Sequence, residues 1–293
     1  MSPLPTSATP SPKVWLITGC SSGLGRELAV AALARGDHVI ATARSAAKID
    51  DLKQRGALTI ALDVTSPDEV VSKSVTDAIG VYGRIDVLVN NAGYSLVGGA
   101  DECSAEEVFD NFNTNVFGIF RMLRVVLTFM RAQQSGVIAN IGSLVGRQSF
   151  PAISVYSATK FAVAGLTESL RAEVAPLGID VTCVDLGMFR TSFGNNCIVA
   201  KKTIAESGPV VEMTKKRLTA SGGKQPGDPV KGAKVLVDVL TKSGNFEGRT
   251  LPVRLAIGNG TVPFVSGVLE RDQKDLQEWA KLVSGTDHDD VGK

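Results

Sequence analysis

The chain has 293 residues, 44% of them hydrophobic and 21% charged, with a formal net charge of +1. That is enough apolar material for one large core, and too little clustered charge for a nucleic-acid surface or a basic membrane-binding face. Cys20, Cys103, Cys183 and Cys197 show neither C-x-x-C pairing nor metal-ligand spacing, so they read as thiols of a reducing, cytoplasmic setting without a metal site.

Residues 1–12, MSPLPTSATPSP, lack a charged n-region and an apolar core, which predicts a flexible Pro/Ser/Thr-rich tail and no secretory signal. KVWLIT then predicts a first strand running into TGCSSGLG, and residues 24–35 have helical apolar spacing closed by Gly36. HVIATA predicts a second strand, a polar helical stretch reaches about Arg55, and LTIALDV predicts a third. Ser66 predicts a helix start, with Pro67 at the first helical position and Glu69 completing a capping box.

RIDVLVNNAG supplies a fourth strand, and Ser104 with Glu107 makes a second capping box before a long helical pattern to about Gln134. GVIANIGS is a fifth strand, residues 155–177 predict a helix, IDVTCVDLG is a sixth strand and TLPVRLAI a seventh. Strands alternating with crossover helices predict a doubly wound α/β fold of about seven parallel strands, helices on both faces, in a single domain over 13–293. No apolar run reaches the ~18 residues needed to span a bilayer. The stretch 188–229 is too long for a plain connection and predicts a lid or binding loop.

TGCSSGLG supports two chemistries. GCSSG matches the G-x-S-x-G turn that exposes a nucleophilic serine, and the whole string suits a turn around a pyrophosphate. A nucleophile needs a histidine, yet His38 begins the second strand at the end away from the turn and His288 lies in a polar tail. A phosphate turn needs only backbone approach and a helix N-terminus, which Gly19, Gly23 and Gly25 permit. About twenty residues on, where an acid would select NAD(H), stands Arg44, which suits the 2′-phosphate of NADP(H). Arg44 is also compatible with an exposed arginine opening the next helix.

Tyr156 and Lys160 in YSATK share one helix face, and Ser143 ends the fifth strand, at the sheet edge where open α/β folds bind ligands. Hydride transfer to a ketone leaves an alkoxide that needs a proton; a tyrosine of ordinary pKa ~10 becomes a better acid beside an ammonium one turn away. Leu96, Val97, Val145, Phe150, Ile153 and Phe193 are candidates for an apolar pocket wall, or for plain core.

TGCSSGLG, NNAG, TNVFG, NIGS and YSATK, in this order and spacing, resemble the short-chain dehydrogenase/reductase family over about residues 13–255. The resemblance implies a Rossmann-type sheet, Tyr156 as acid/base, Lys160 lowering its pKa and holding the nicotinamide ribose, Ser143 orienting the carbonyl and Asn115 supporting a proton-relay water. It also implies cofactor contacts at Gly19, Ser21, Ser22, Gly23, Leu24, Gly25, Arg44, Asp63, Val64, Asn91, Ala92, Gly93, Tyr156, Lys160, Phe189 and Thr191. Leu186-Gly187 stands where the family usually has Pro-Gly, which loosens the alignment of Phe189 and Thr191. WLITGCSSGLG, ATAR and WAKLVSGTD look like the 17-beta-hydroxysteroid dehydrogenase-like branch. The expectation is an NADP(H)-dependent carbonyl reductase or alcohol dehydrogenase acting on a hydrophobic small molecule, as a homodimer or homotetramer built on the phenylalanine-rich 104–134 segment. A non-catalytic NAD(P)(H)-binding scaffold or sensor of the same fold is the alternative.

Overall fold

A computed structural model describes residues 11–194, 196–220 and 223–288, so the expected tail lies outside them apart from its last two positions. Seven strands form one parallel sheet: β1 (Val14–Ile17), β2 (His38–Ala43), β3 (Leu58–Ala61), β4 (Val87–Asn90), β6 (Gly136–Ile141), β7 (Ile179–Leu186) and β9 (Arg254–Ile257). Their order is β3-β2-β1-β4-β6-β7-β9. The chain winds outward from β1 in one direction and restarts from β4 in the other, so the connections after β1 and β4 diverge and leave a crevice at the strands' carboxyl ends.

Strand periodicity builds two cores. Val14 and Leu16 of β1 enter the core shared with α3 (Asp68–Gly80), α5 (Gly118–Gln133) and α6 (Ser154–Val174). Trp15 and Ile17 enter the other, shared with α1 (Gly23–Ala34), α2 (Asp50–Gln54) and α8 (Pro229–Leu240). Burial on both faces is why these strands read as continuous apolar runs. At the amino edge of the sheet, buried Asp37 accepts hydrogen bonds from the Trp15 indole (2.9 Å) and the Lys13 N–H (3.0 Å). His38 pairs with Val14 and Ala41 with Ile17, which places His38 at the end opposite the glycine turn.

Three local features depart from the sequence expectations. The capping box at Ser66 does not form: Asp63 Oδ1 accepts from the Thr65 N–H and hydroxyl, Ser66 N–H bonds to Asp63 O, and α3 starts at Asp68 with Pro67 as an N-cap lacking any side-chain bond. The box at Ser104 does form, with Ser104 Oγ accepting from Glu107 N–H and Glu107 accepting from Ser104 N–H. The helix expected from there to Gln134 is divided into α4 (Ala105–Phe112), a π turn over Asn113–Phe117 and α5. A small second sheet was not expected, in which β5 (Leu96–Val97) pairs with β8 (Ile198–Val199). It ties the 188–229 segment, which also holds α7 (Gly208–Ala220), to the body. The chain continues into α9 (Thr261–Val283), and no helix among the described residues is long and apolar enough to cross a membrane.

Candidate active site

The turn after β1 is shaped by glycines at the positions where backbone geometry demands them. Gly19 and Gly23 have φ of +73° and +60°, and a Cβ on Gly25 would lie 2.3 Å from Asn91 Nδ2 and 2.8 Å from Gly19 O. Buried Leu24 anchors the start of α1 in the second core. Ser22, the N-cap residue, makes no side-chain capping bond, and the first turn of α1 has no acidic residue. The first N–H groups of α1 and the exposed Ser21 and Ser22 hydroxyls are therefore open to an anion such as a pyrophosphate. Thr191 closes over this turn, 3.4 Å from where a Gly23 Cβ would stand.

Thr18 is the residue that sequence reasoning missed here. Its hydroxyl accepts from the N–H groups of Asn91 (2.9 Å) and Ala92 (3.0 Å), while Asn91 Nδ2 donates to Thr18 O (2.8 Å) and Gly19 O (3.2 Å). NNAG and TGCSSGLG are thus one clamp made by adjacent strands β1 and β4. Asn90 and Asn140 were also passed over. They face each other in register between β4 and β6, bonded at 2.8 Å, and Asn140 Nδ2 donates to Thr167 of α6 at 3.0 Å. That buried ladder couples the cofactor side of the sheet to the helix carrying YSATK.

Asn115 sits buried in the π turn. Its Oδ1 accepts from Tyr94 N–H (3.0 Å), and its Nδ2 donates to Tyr94 O (2.9 Å) and Thr159 Oγ1 (3.1 Å). A Cβ on Gly93 would come within 2.9 Å of that Oδ1, and Thr159 in turn donates to Tyr156 O. These bonds make the Asn115 side chain a brace between the loop after β4 and α6.

Ser143 follows β6 and its Oγ accepts from Val145 N–H at 3.3 Å. Tyr156 is only 8% exposed; burial raises its pKa, and a hydrogen bond with Ser143 pulls the other way. Lys160, 6% exposed, donates from Nζ to Ile141 O at 2.7 Å and lies 5.7 Å from the centroid of the Tyr156 ring. Burial pushes this ammonium down to about 8. The lysine is anchored on a backbone carbonyl, and desolvation of the phenol dominates.

Arg44 is exposed immediately after β2 and has no hydrogen-bond or ion-pair partner among the described residues. Asp63 spends one carboxylate oxygen on Thr65, and Val64 is buried against Gly118, where a Cβ would meet Val64 Cγ2 at 2.8 Å. The loop after Gly187 keeps its shape without the expected proline. Arg190 N–H bonds to Gly227 O, Gly227 N–H bonds to Met188 O, and the Phe189 ring is wedged against Gly232, 2.5 Å from where its Cβ would be. Residues 195 and 221–222 of the 188–229 stretch lie outside the described residues.

Beside Tyr156, Val97, Val145, Ala152, Ile153 and Val211 form one buried cluster, and the Phe193 ring tilts against the Tyr156 ring at 5.9 Å. Leu96 is buried outside this cluster, and Phe150 pairs instead with Phe264 of α9 at 5.9 Å. The site thus combines an anion-binding turn, a buried phenol and ammonium, a hydroxyl and an apolar wall.

The family model described as short chain dehydrogenase matches residues 13–201. The chain belongs to this family of oxidoreductases. "Oxidoreductase BOA17" of Botryotinia fuckeliana is 32% identical over 275 residues, covering 92% of this chain and 97% of that protein. A short-chain dehydrogenase from Streptomyces avermitilis superposes with a TM-score of 0.85 at 42% identity, covering 95% of this chain and 99% of that one. A 3-ketoacyl-(acyl-carrier-protein) reductase from Brucella melitensis, solved with NADH, gives 0.70 at 25% identity over 87% of this chain and 99% of its own. ElxO, solved with NADP, gives 0.69 at 28% identity over 86% and 99%. A nicotinamide dinucleotide is accordingly the class of cofactor for this crevice, and the uncapped start of α1 with its glycine cradle fits such a group.

Proposed function

We propose that the protein is an NADP(H)-dependent reductase or dehydrogenase that interconverts a carbonyl and an alcohol on a hydrophobic small molecule. The observation that carries this reading is the meeting of Ser143, Tyr156 and Lys160 at the carboxyl edge of β6, beside the apolar cluster. A bound nicotinamide dinucleotide would supply hydride to the carbonyl carbon or accept it from the alcohol carbon. In the reductive direction Ser143 and Tyr156 hold the carbonyl oxygen, and Tyr156 gives its proton to the oxygen as charge develops there. Burial keeps Tyr156 protonated in the resting chain, the form that this donation requires. Lys160, buried and hydrogen-bonded to Ile141 O one helix turn from Tyr156, holds the ribose side of the crevice and favours loss of the phenol proton. Oxidation of the alcohol runs the same steps backwards.

Arg44 supports NADP(H) over NAD(H), since an unpaired guanidinium at the end of β2 suits a 2′-phosphate. Asp63 and Val64 border the adenine end, Asn91, Ala92 and Gly93 its floor, and Phe189 and Thr191 the nicotinamide side. Residues 188–229 act as the lid. A homodimer or homotetramer is supported by the exposed Phe109, Phe117 and Phe120, the last at the rim of a groove of about 740 Å³ between α5 and α6 whose apolar floor is edged by Arg124, Arg131 and Glu173. Four free thiols suit the cytoplasm. The test is Tyr156→Phe assayed with NADPH on a panel of ketones and aldehydes. Turnover should fall by roughly 10²–10⁴-fold, and unchanged turnover would return the chain to a binding role.

A further inference from the structure

Glu102 lies outside every motif above, and its carboxylate is buried although it belongs to neither the cofactor clamp nor the proton-transfer group. It stands in the loop between β5 and α4, beneath the pocket wall. Its Oε2 accepts from Gly99 N–H at 2.8 Å, two residues past Val97. Its Oε1 accepts from Ile204 N–H at 2.9 Å, 102 positions away and just past β8. Lys215 of α7 reaches the same carboxylate at 3.5 Å and also pairs with Glu212 at 3.2 Å. These donors hold the Glu102 carboxyl below the ordinary carboxylate range.

Three segments therefore meet on one anion: the exit of the wall strand β5, the exit of the covering strand β8, and the covering helix α7. The consequence reaches the site because α7 contributes Val211, and the approach to β8 contributes Cys197, to the apolar cluster around Tyr156. Gly98 N–H bonds to Ala152 O on the opposite side of that cluster, so the wall is fixed to the α6 side. Among the described residues, the covering side is tied by the two residue pairs of β5 and β8 and by Glu107, which accepts from Lys201 N–H at 3.0 Å. A buried carboxylate left without its donors is costly, so both segments are drawn to it together.

We propose that Glu102 is a positioning residue that sets substrate affinity by fastening the 198–217 stretch to the pocket wall. This rests on the reading of Tyr156 and its neighbours as a carbonyl site. Glu102 touches neither cofactor nor reacting atoms, so it acts on substrate binding and leaves the chemical step alone. A glutamine can accept at only one oxygen and turns an N–H towards the second backbone donor, and an alanine removes both acceptors.

Glu102→Ala, Glu102→Gln and Lys215→Met are to be compared with the unaltered protein by steady-state kinetics on a hydrophobic ketone at saturating NADPH, and by amide hydrogen exchange. In Glu102→Ala, KM should rise about tenfold or more, while kcat and the NADPH Kd stay within about twofold. Glu102→Gln should fall between the two, and Lys215→Met, which leaves both backbone bonds in place, should raise KM least. Exchange at Ile204 should accelerate at least about tenfold in Glu102→Ala, with the amides of Gly19 to Gly25 unchanged. An unaltered KM, a fall in kcat at constant KM, or exchange that accelerates equally at the glycine turn would each overturn the proposal. If the unaltered protein turns over no carbonyl compound, the proposed activity fails, and exchange at Ile204 still decides whether Glu102 fastens the segment.

Discussion

Around the glycine turn, partners are short side chains and backbone groups at fixed places on adjacent strands: Thr18 against Asn91 and Ala92, Asn115 against Tyr94, and glycines whose missing Cβ atoms admit a neighbour. Over the substrate side, the bonds come from long side chains reaching across the fold. Glu107 accepts from Lys201 N–H, Glu102 accepts from Ile204 N–H, and Arg190 Nε donates to Gln225 O. The first arrangement has almost no freedom, because moving any member moves a strand. The second can be retuned by single side chains, which suits a fold that keeps one cofactor and varies its substrates.

The largest way to probe the tight side is through Lys160. Its ammonium is held at about 8 in the folded chain against 10.5 for an ordinary lysine. Between those values the unfolded chain binds more protons than the folded one, so stability rises with pH across this window and stays at its lower level below pH 8. Relative to Lys160→Met, the unaltered protein should gain on the order of 3 kcal/mol from pH 8 to 10.5. Tm difference against pH measures it, with Tyr156 and Cys20 common to both chains. A flat difference would mean that the crevice is wetter than the burial of Lys160 implies.

One substitution applied to each side sharpens the contrast next. Gly25→Ala drives a Cβ into Asn91 and should cost about 2 kcal/mol, with a cofactor Kd raised about tenfold or more. Gly194→Ala, whose Cβ would meet among the described residues Gln225 Nε2 at 3.6 Å, should stay within about 0.5 kcal/mol. Chemical denaturation and fluorescence titration with NADPH read both. Arg44→Ser comes after these: the NADPH Kd should rise about tenfold, ~1.4 kcal/mol, with NADH binding unchanged. Equal weakening of the two cofactors would detach Arg44 from the 2′-phosphate.

These differences also explain what could be read from the sequence. The doubly wound sheet was legible because its central strands β1, β4, β6 and β7 are largely buried on both faces while the edge strands β3 and β9 are half-buried apolar runs, so periodicity carries the architecture. The positions of Gly19, Ser143, Tyr156 and Lys160 were legible because their spacing follows from a turn or a helix face. Thr18, Asn90 and Asn140 were not, since their roles depend on strand register across about fifty to seventy residues. Glu102 was harder still, as a lone glutamate in a loop reads as solvated until Ile204 is seen above it. Phe150 shows the limit from the other side: it is apolar and near the pocket in sequence, and its ring pairs with Phe264 of α9, about 110 residues on.

The smallest expected effect concerns two S-x-x-E strings that sequence alone cannot tell apart. Ser104-x-x-Glu107 forms both reciprocal bonds, whereas at Ser66-x-x-Glu69 the turn is closed by Asp63 and the helix starts past Pro67. Ser104→Ala should therefore cost about 1 kcal/mol, and Ser66→Ala less than about 0.5 kcal/mol. The two are further separated by what Glu107 does with its second oxygen, which accepts from Lys201 N–H at 3.0 Å. Losing the Ser104 cap frees Glu107 to shift, so Ser104→Ala should also accelerate amide exchange at Lys201, while Ser66→Ala leaves that amide unchanged. If both serines cost the same, the capping box contributes nothing beyond local polarity. If Ser104→Ala destabilises without reaching Lys201, the cap and the covering segment are independent, and that segment is held by the β5–β8 pairing and Glu102.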